Sequence, residues 1–300
     1  MDHGDGIKVW DIDGNEYYDF LAGIAVNCLG HNNPKLVKAI QNQAEKLIHI
    51  SSIYYNEPAT VYAKNMPKGF KKVEYGNLES IKEAITAETA AIIIEPIQGE
   101  GGVNVPSKEF FKGLESLCKE KGILLIVDEV QSGFGRAGSL FAHELFDIKP
   151  DIMTMAKGIG GGVPMGGILA TEEVATGFVP GDHGTTFAGG PLVAAAANVV
   201  FDKLTSEGFL DNVNEVGNYF KDELIKLQEK YDLIAEVRGK GLIVGVELTQ
   251  PGGEFVDKFR EKGFLINCTA GNVLRFVPPL IASKEDIDKL IVAFDELLSS

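Results

Sequence analysis

Lys121-Gly-Ile-Leu-Leu-Ile-Val-Asp-Glu129 closes one element and makes the next. Lys108 to Lys121 carries apolar residues at helical spacing, Gly122 stops that helix, and Ile123 to Val127 is apolar without alternation. A short, continuously apolar run between helices is how a strand buried on both faces reads. The same grammar recurs on either side. A helix over Leu78 to Ala87, with Asn77 as N-cap, precedes the apolar Ala91 to Ile94, which ends in Glu95-Pro96. Asp151 to Met155 runs into Ala156-Lys157, and Gly166 to Thr171 is a fourth apolar run. The alternation predicts an α/β protein with a mainly parallel sheet. Ligands of such sheets sit at the carboxyl ends of the strands, and here those ends carry Glu95, Asp128 and Lys157.

Outside this centre the pattern changes. Asp11-Ile-Asp-Gly-Asn15, between Ile7 to Trp10 and Glu16 to Asp19, predicts a hairpin, and Pro34 to His49 predicts an amphipathic helix. Pro191 to Leu204 and Leu210 to Tyr231 predict helices. β-prone pieces at Ile234 to Arg238, Leu242 to Leu248 and Val273 to Val277 follow, with helices at Glu254 to Lys262 and at Ser283 to Leu298, where Ser283 and Asp286 make a capping-box-like start. A small α+β domain built from both termini is therefore expected beside a large central one: residues 1–50 and 216–300 around 51–215.

The chain's 300 residues, at about 150 per domain, agree with two domains. Lys and Arg number 28 against 43 Asp and Glu, a net charge of −15, which argues against a nucleic-acid or anionic-membrane partner because both need a basic footprint. Cys28, Cys118 and Cys268 are odd in number and in no CxxC arrangement, so neither a disulfide framework nor a metal site is expected. With no signal peptide or membrane span in view, the reading is cytoplasmic. Thirty-five glycines exceed the usual share of about 7% and cluster in loops.

Lys157, followed by Gly158-Ile-Gly-Gly-Gly-Val-Pro-Met-Gly166, stands where an amine can be desolvated and become a Schiff-base nucleophile; position alone fits a solvated strand-end lysine as well. Asp128 can hold a cation or a protonated ring nitrogen, or simply cap the next helix. The apolar run before Asp128-Glu129 also has the form of a magnesium-binding ATPase strand, but the GxxxxGK[ST] loop that reading requires is absent. Arg275, in Leu274-Arg-Phe-Val-Pro-Pro279, is either paired with an internal carboxylate or a fork for a substrate carboxylate. His183-Gly-Thr-Thr186 offers hydroxyls and amides to an oxyanion, or is an ordinary turn.

Taken in order, Asp19-Phe-Leu-Ala-Gly-Ile-Ala-Val-Asn27, Leu29-Gly-His31, Glu95-Pro-Ile-Gln-Gly-Glu-Gly-Gly102, Val127-Asp-Glu-Val-Gln-Ser-Gly-Phe-Gly-Arg136, Ala156-Lys-Gly158, His183-Gly-Thr-Thr-Phe187 and Arg275-Phe-Val-Pro-Pro-Leu280 resemble the class III (subgroup II) pyridoxal-phosphate aminotransferases of fold type I. The resemblance covers nearly the whole chain. It implies pyridoxal 5'-phosphate as cofactor, with Lys157 as the catalytic lysine that bonds it and moves the substrate proton. Asp128 would pair with the ring nitrogen, Gln131 with the ring 3-oxygen, and Val130 would pack on the ring. Thr186 would reach the phosphate of the other subunit, making a homodimer with shared sites. Arg275 would bind the carboxylate of 2-oxoglutarate, with Glu100 masking it when an ω-amine enters. Ile24 occupies a position where the ornithine-specific branch has tyrosine, which favours an N-acylated donor such as N-acetylornithine. 4-Aminobutyrate and ornithine are the other donors weighed.

One departure is large. Between Tyr54-Tyr-Asn-Glu-Pro58 and Met66-Pro-Lys-Gly-Phe70, family members carry a segment that includes a phosphate cup at a helix N-terminus and an early strand of the large domain; here seven residues bridge the two motifs. Without that segment the parallel sheet would show an unpaired edge, so the expectation is a segment left unobserved rather than lost. The alternative is a truncated, non-catalytic paralogue that dimerises or binds a partner.

Overall fold

A computed structural model describes residues 1–5, 8–18, 32, 34, 69–161, 163–182 and 189–299. The expected helix at Pro34 to His49, Ile24 and Thr186 all involve residues outside these. The chain divides into two compact units, residues 1–68 with 178–191, and 69–177 with 192–300. In the first, β1 (His3–Asp5), β2 (Lys8–Trp10) and β3 (Glu16–Tyr18) form an antiparallel meander. Its second turn is tied by the Asp11 carboxylate, which accepts from the amides of Asp13 and Asn15. The predicted hairpin is β2–β3; β1 is an addition to it.

The second unit holds both large sheets. β4 (Ala91–Ile94), β5 (Leu124–Asp128), β6 (Ile152–Met155) and β7 (Gly167–Ala170) lie side by side in that order. The first three are parallel, and β7 turns back antiparallel to β6. Two helices pack beside them: α1 (Leu78–Ala84), capped by Asn77, and α2 (Lys108–Lys121), capped by Ser107 and stopped by Gly122 in the left-handed conformation. Ile81, Phe111, Leu114 and Leu117 from the helices join Ile94, Leu125 and Val127 from the strands in one core. α1 ends at Ala84, three residues short of the predicted end, because Ile85 is already extended.

α3 (Pro191–Leu204) and α4 (Phe209–Lys230) lead to an antiparallel sheet in the order β10-β11-β9-β8, with β8 (Ile234–Lys240), β9 (Ile243–Leu248), β10 (Asn267–Thr269) and β11 (Val273–Phe276). α5 (Gly253–Glu261), α4 and α6 (Lys284–Leu298) contribute to its core. Ser283 and Asp286 close the predicted capping box of α6. β10 is a strand the sequence pattern does not announce.

The expectation that the segment after Pro58 is merely unobserved is corrected here. The sequence is continuous through that interval; among the described residues β4 pairs with β5 alone, and its Ile93 is 55% exposed.

Candidate active site

Because β4, β5 and β6 run parallel, their carboxyl ends bring three different groups to one rim: Glu95 directly after β4, Asp128 closing β5, and Lys157 two residues beyond β6. Lys157 opens a 3-10 turn, Lys157–Gly160, that Gly161 caps, and its own φ is +49°. That conformation costs a residue with a side chain about 1–3 kcal/mol and marks a position held by its surroundings. Partial removal from water lowers the Lys157 ammonium below the ordinary lysine value. Glu100, Glu95 and Asp128 act on it in the opposite sense, and Arg275 adds to the lowering.

Asp128 is no helix cap. Its Oδ1 accepts from the Val130 amide at 2.9 Å, and its other carboxylate oxygen makes no hydrogen bond among the described residues. Glu95 accepts from the Gly99 amide at 2.9 Å, and burial raises its carboxyl above the ordinary range. The Tyr75 hydroxyl donates to the carbonyls of Glu95 and Pro96 at 2.8 and 3.2 Å, fixing this strand end from behind.

Arg275, on β11, is 7% exposed, and its Nη1 donates to Glu100 Oε1 at 2.7 Å and to Gln131 Oε1 at 3.0 Å. The internal carboxylate foreseen as one alternative for Arg275 is therefore Glu100. Glu100 itself is 65% exposed, so a buried guanidinium is paired with a carboxylate that can leave for solvent. Gln131 lies flat against Gly99, where a Cβ would come within 2.4 Å of it. Lys157, Asp128, Gln131, Glu100 and Arg275 are thus all placed at this rim, with Val130 on the same turn.

Several supporting residues escape a reading of spacing. Glu129 is fully buried and accepts from the Ser132 hydroxyl at 2.7 Å and from the amides of Ala142 and His143 at 3.0 and 2.7 Å; the His143 ring adds a contact at 3.1 Å. These bonds fold the loop after Asp128 back on itself. Arg136, whose pKa burial pushes down to about 10, donates to the carbonyls of Leu242 and Pro278 at 2.9 and 2.5 Å and ties that loop to both ends of the β9–β11 region. Arg238 likewise donates to the Gly102 carbonyl at 2.9 Å. Glu129 follows Asp128 at the end of an apolar run, and that position was its one sequence signal.

What the rim defines is an α/β site in which a strand-end amine, an open carboxylate and a masked arginine converge. The family model described as "Aminotransferase class-III" matches residues 1–74 and 70–298. The acetylornithine aminotransferase of Methanocaldococcus jannaschii is 43% identical over 370 positions, covering 99% of this chain and 92% of the relative; that of Aquifex aeolicus is 41% identical over 366 positions, covering 98% and 96%. Among solved structures, acetylornithine aminotransferase from Elizabethkingia anophelis superposes with a TM-score of 0.73 at 32% identity, covering 99% of this chain and 93% of that one. Ornithine δ-aminotransferase from Plasmodium falciparum gives 0.73 at 30% identity, covering 100% and 92%.

The chain belongs to the class-III aminotransferase family. Its fold is the pyridoxal-phosphate-dependent fold type I, and its substrates are an amino acid and a keto acid. The 370 aligned positions exceed the chain's 300 residues, so at least 70 positions of the M. jannaschii relative face no residue here. The residues that are present suit the ring end of the cofactor. A lysine with lowered proton affinity, a carboxylate with an open oxygen and a side-chain amide are the donor set a pyridine aldehyde requires.

Proposed function

We propose that the chain transfers an amino group from N-acetylornithine, or a similar acyl-diamino acid, to 2-oxoglutarate. The observation that carries this reading is the Arg275–Glu100 pair at 2.7 Å beside Lys157. A site that must accept an ω-amine and a dicarboxylate in turn needs a cation that can be covered and uncovered, and this pair supplies one. The relatives' names as acetylornithine aminotransferases support the donor.

Pyridoxal 5'-phosphate, when bound, supplies the electron sink for the α-carbanion. Lys157 holds and returns the proton at its Nζ, and its lowered proton affinity leaves more free amine near neutrality. Asp128 offers its open oxygen to a ring N–H, Gln131 its amide to the ring 3-oxygen, and Val130 an apolar surface. Arg275 binds a substrate carboxylate once Glu100 turns away. Thr186 at a partner's phosphate, Ile24 at the donor, a homodimer, a cytoplasmic location and the partition into domains at 1–50, 51–215 and 216–300 belong to the same reading. No described helix is long and apolar enough to cross a membrane.

The unmatched positions of the relatives favour a second reading, a non-catalytic paralogue. Absorption spectroscopy separates the two. With added pyridoxal phosphate the chain should develop a visible band that borohydride bleaches and that is missing in Lys157→Ala. A colourless wild type overturns the enzyme reading, and donor competition among acetylornithine, ornithine and 4-aminobutyrate then ranks substrates in an active protein.

A further inference from the structure

Strand β10 takes no part in the proposed chemistry, yet two of its three side chains grip the two partners of the Arg275–Glu100 pair. Asn267 stands directly across from Arg275 in the antiparallel register of β10 and β11, and its Oδ1 accepts from Arg275 Nε at 3.1 Å. Thr269, two residues on and so on the same face of the strand, donates its hydroxyl to the backbone carbonyl of Glu100. Thr269 is itself buried. One short strand therefore fixes the cation and the anion with respect to each other.

The consequence follows from the shape of the guanidinium. A carboxylate can dock on either of two edges of the fork, Nε with Nη2 or Nη1 with Nη2. Asn267 occupies Nε, so the first edge is closed. The second includes Nη1, which already donates to Glu100 Oε1 at 2.7 Å and to Gln131 Oε1 at 3.0 Å. With both hydrogens of Nη1 engaged, a carboxylate arriving on this edge must displace one of its two acceptors, and Glu100, whose side chain is 65% exposed, is the one with solvent to swing into; that competition makes the pair a latch and not a fixed ion pair.

We propose that Asn267 and Thr269 are positioning residues for this latch: Asn267 selects the edge of Arg275 that meets a substrate carboxylate, and Thr269 holds Glu100 over that edge until one arrives. The inference rests on the reading of Arg275 as the carboxylate site. It assigns opposite signs to two neighbours on one strand. Loss of Asn267 frees the guanidinium to turn and weakens carboxylate binding, whereas loss of the Thr269 hydroxyl loosens the competitor and strengthens it.

The test is calorimetric titration of the full chain, incubated with pyridoxal phosphate, with 2-oxoglutarate. Asn267→Ala should weaken binding about tenfold, as loss of a hydrogen bond to a charged group does. Thr269→Val, which keeps the side chain's shape, should tighten it about two- to fivefold, a change of the size expected for one neutral hydrogen bond. Arg275→Gln should abolish most of the affinity, and Asn267→Ala should add nothing further in that background. An Asn267→Ala effect that persists undiminished without Arg275, no effect of Asn267→Ala at all, or a Thr269→Val effect that is absent or weakening, overturns the positioning role while leaving Arg275 as the carboxylate site. Unchanged affinity in Arg275→Gln, or no binding by the unaltered chain, overturns that underlying reading and this inference with it.

Discussion

Around the antiparallel sheet β8–β11, the rings of Phe220, Phe255, Phe259, Phe276 and Phe294 meet edge to face or tilted, with centroids 5.2 to 6.4 Å apart, inside a core that α4, α5 and α6 help to close. Along β4–β7 the burial is one-sided. Ile94, Leu125 and Val127 face the core shared with α1 and α2, while Ile93 on β4 and Ile168 on β7 stay 55% and 68% exposed. Lys157 and Asp128 sit at the end of the open sheet, and Arg275 sits in the closed one. Stability and chemistry are thus unequally shared. Strain gathers near the chemistry, since Val103, Phe134, Lys157 and Ala270 all have positive φ and lie on the segments that carry Glu100, Gln131, Lys157 and Thr269. Such conformations persist only where the surrounding packing over-determines them.

The comparison breaks most readily at the aromatic core. Phe259 is fully buried and touches the rings of Phe264, Phe276 and Phe294. Phe259→Ala should cost about 3–5 kcal/mol, read from urea denaturation. A loss under about 1 kcal/mol would mean that the closed sheet is not the anchor of this unit.

A smaller loss is expected at the buried carboxylate behind the site. Glu129→Gln replaces one carboxylate oxygen by an NH2, which then faces either the His143 amide or the Ser132 hydroxyl and the Ala142 amide, so that a backbone donor loses its acceptor. About 1–3 kcal/mol should go, and because the loop begins at Asp128 and carries Gln131, pyridoxal-phosphate affinity measured by fluorescence quenching should fall as well. Stability lost with cofactor affinity unchanged would show that the loop holds its shape by other means.

How much of this was legible in the sequence varies with what holds each element. α2 and α6 were readable because Gly122, Ser283 and Asp286 do in the structure what capping chemistry requires of them; Ser107, the cap at the start of α2, is seen in the structure alone. Glu95, Asp128 and Lys157 were readable as a group because parallel strands must end on one rim. β10 was not, since Asn-Cys-Thr has no alternation and is a strand only through its pairing with β11. For the same reason Asn267 and Thr269 gave no signal; spacing alone offered Arg275 an unnamed carboxylate, and it was the family resemblance that pointed to Glu100, which the structure pairs with it. The rule that exposed edges are disfavoured did not decide what became of the segment after Pro58, since the sequence runs on without it and, among the described residues, β4 pairs with β5 alone.

A third effect appears only as a slope against pH. Burial raises the folded-state pKa of Glu95 above the ordinary 4.5. Between those two values the folded state keeps a proton that the unfolded state has released, so this contribution is complete below 4.5 and is lost as pH rises through the folded value. Glu95→Gln should flatten that fall. Lys157 works in the other direction, because its lowered folded pKa makes stability rise with pH between that value and the ordinary 10.5. Denaturation midpoints followed across pH in Glu95→Gln and Lys157→Met should therefore depart from wild type with opposite slopes, and parallel curves would place both groups in water.

The smallest effect on stability is expected where the sheet is open. Ile93 lies mid-strand on β4, which pairs with β5 alone among the described residues, and it is more than half exposed. Ile93→Thr keeps the β-branched shape that suits a strand and removes little buried apolar surface, so the urea midpoint should move by the equivalent of no more than about 0.5 kcal/mol. An exposed apolar edge is also a template for pairing with other chains, and a polar residue blunts it. Light scattering at rising protein concentration should show less association in Ile93→Thr than in wild type. A loss approaching that of Phe259→Ala would mean that Ile93 is covered in the working protein, and the contrast between an open and a closed sheet would then disappear at the strand where it is sharpest.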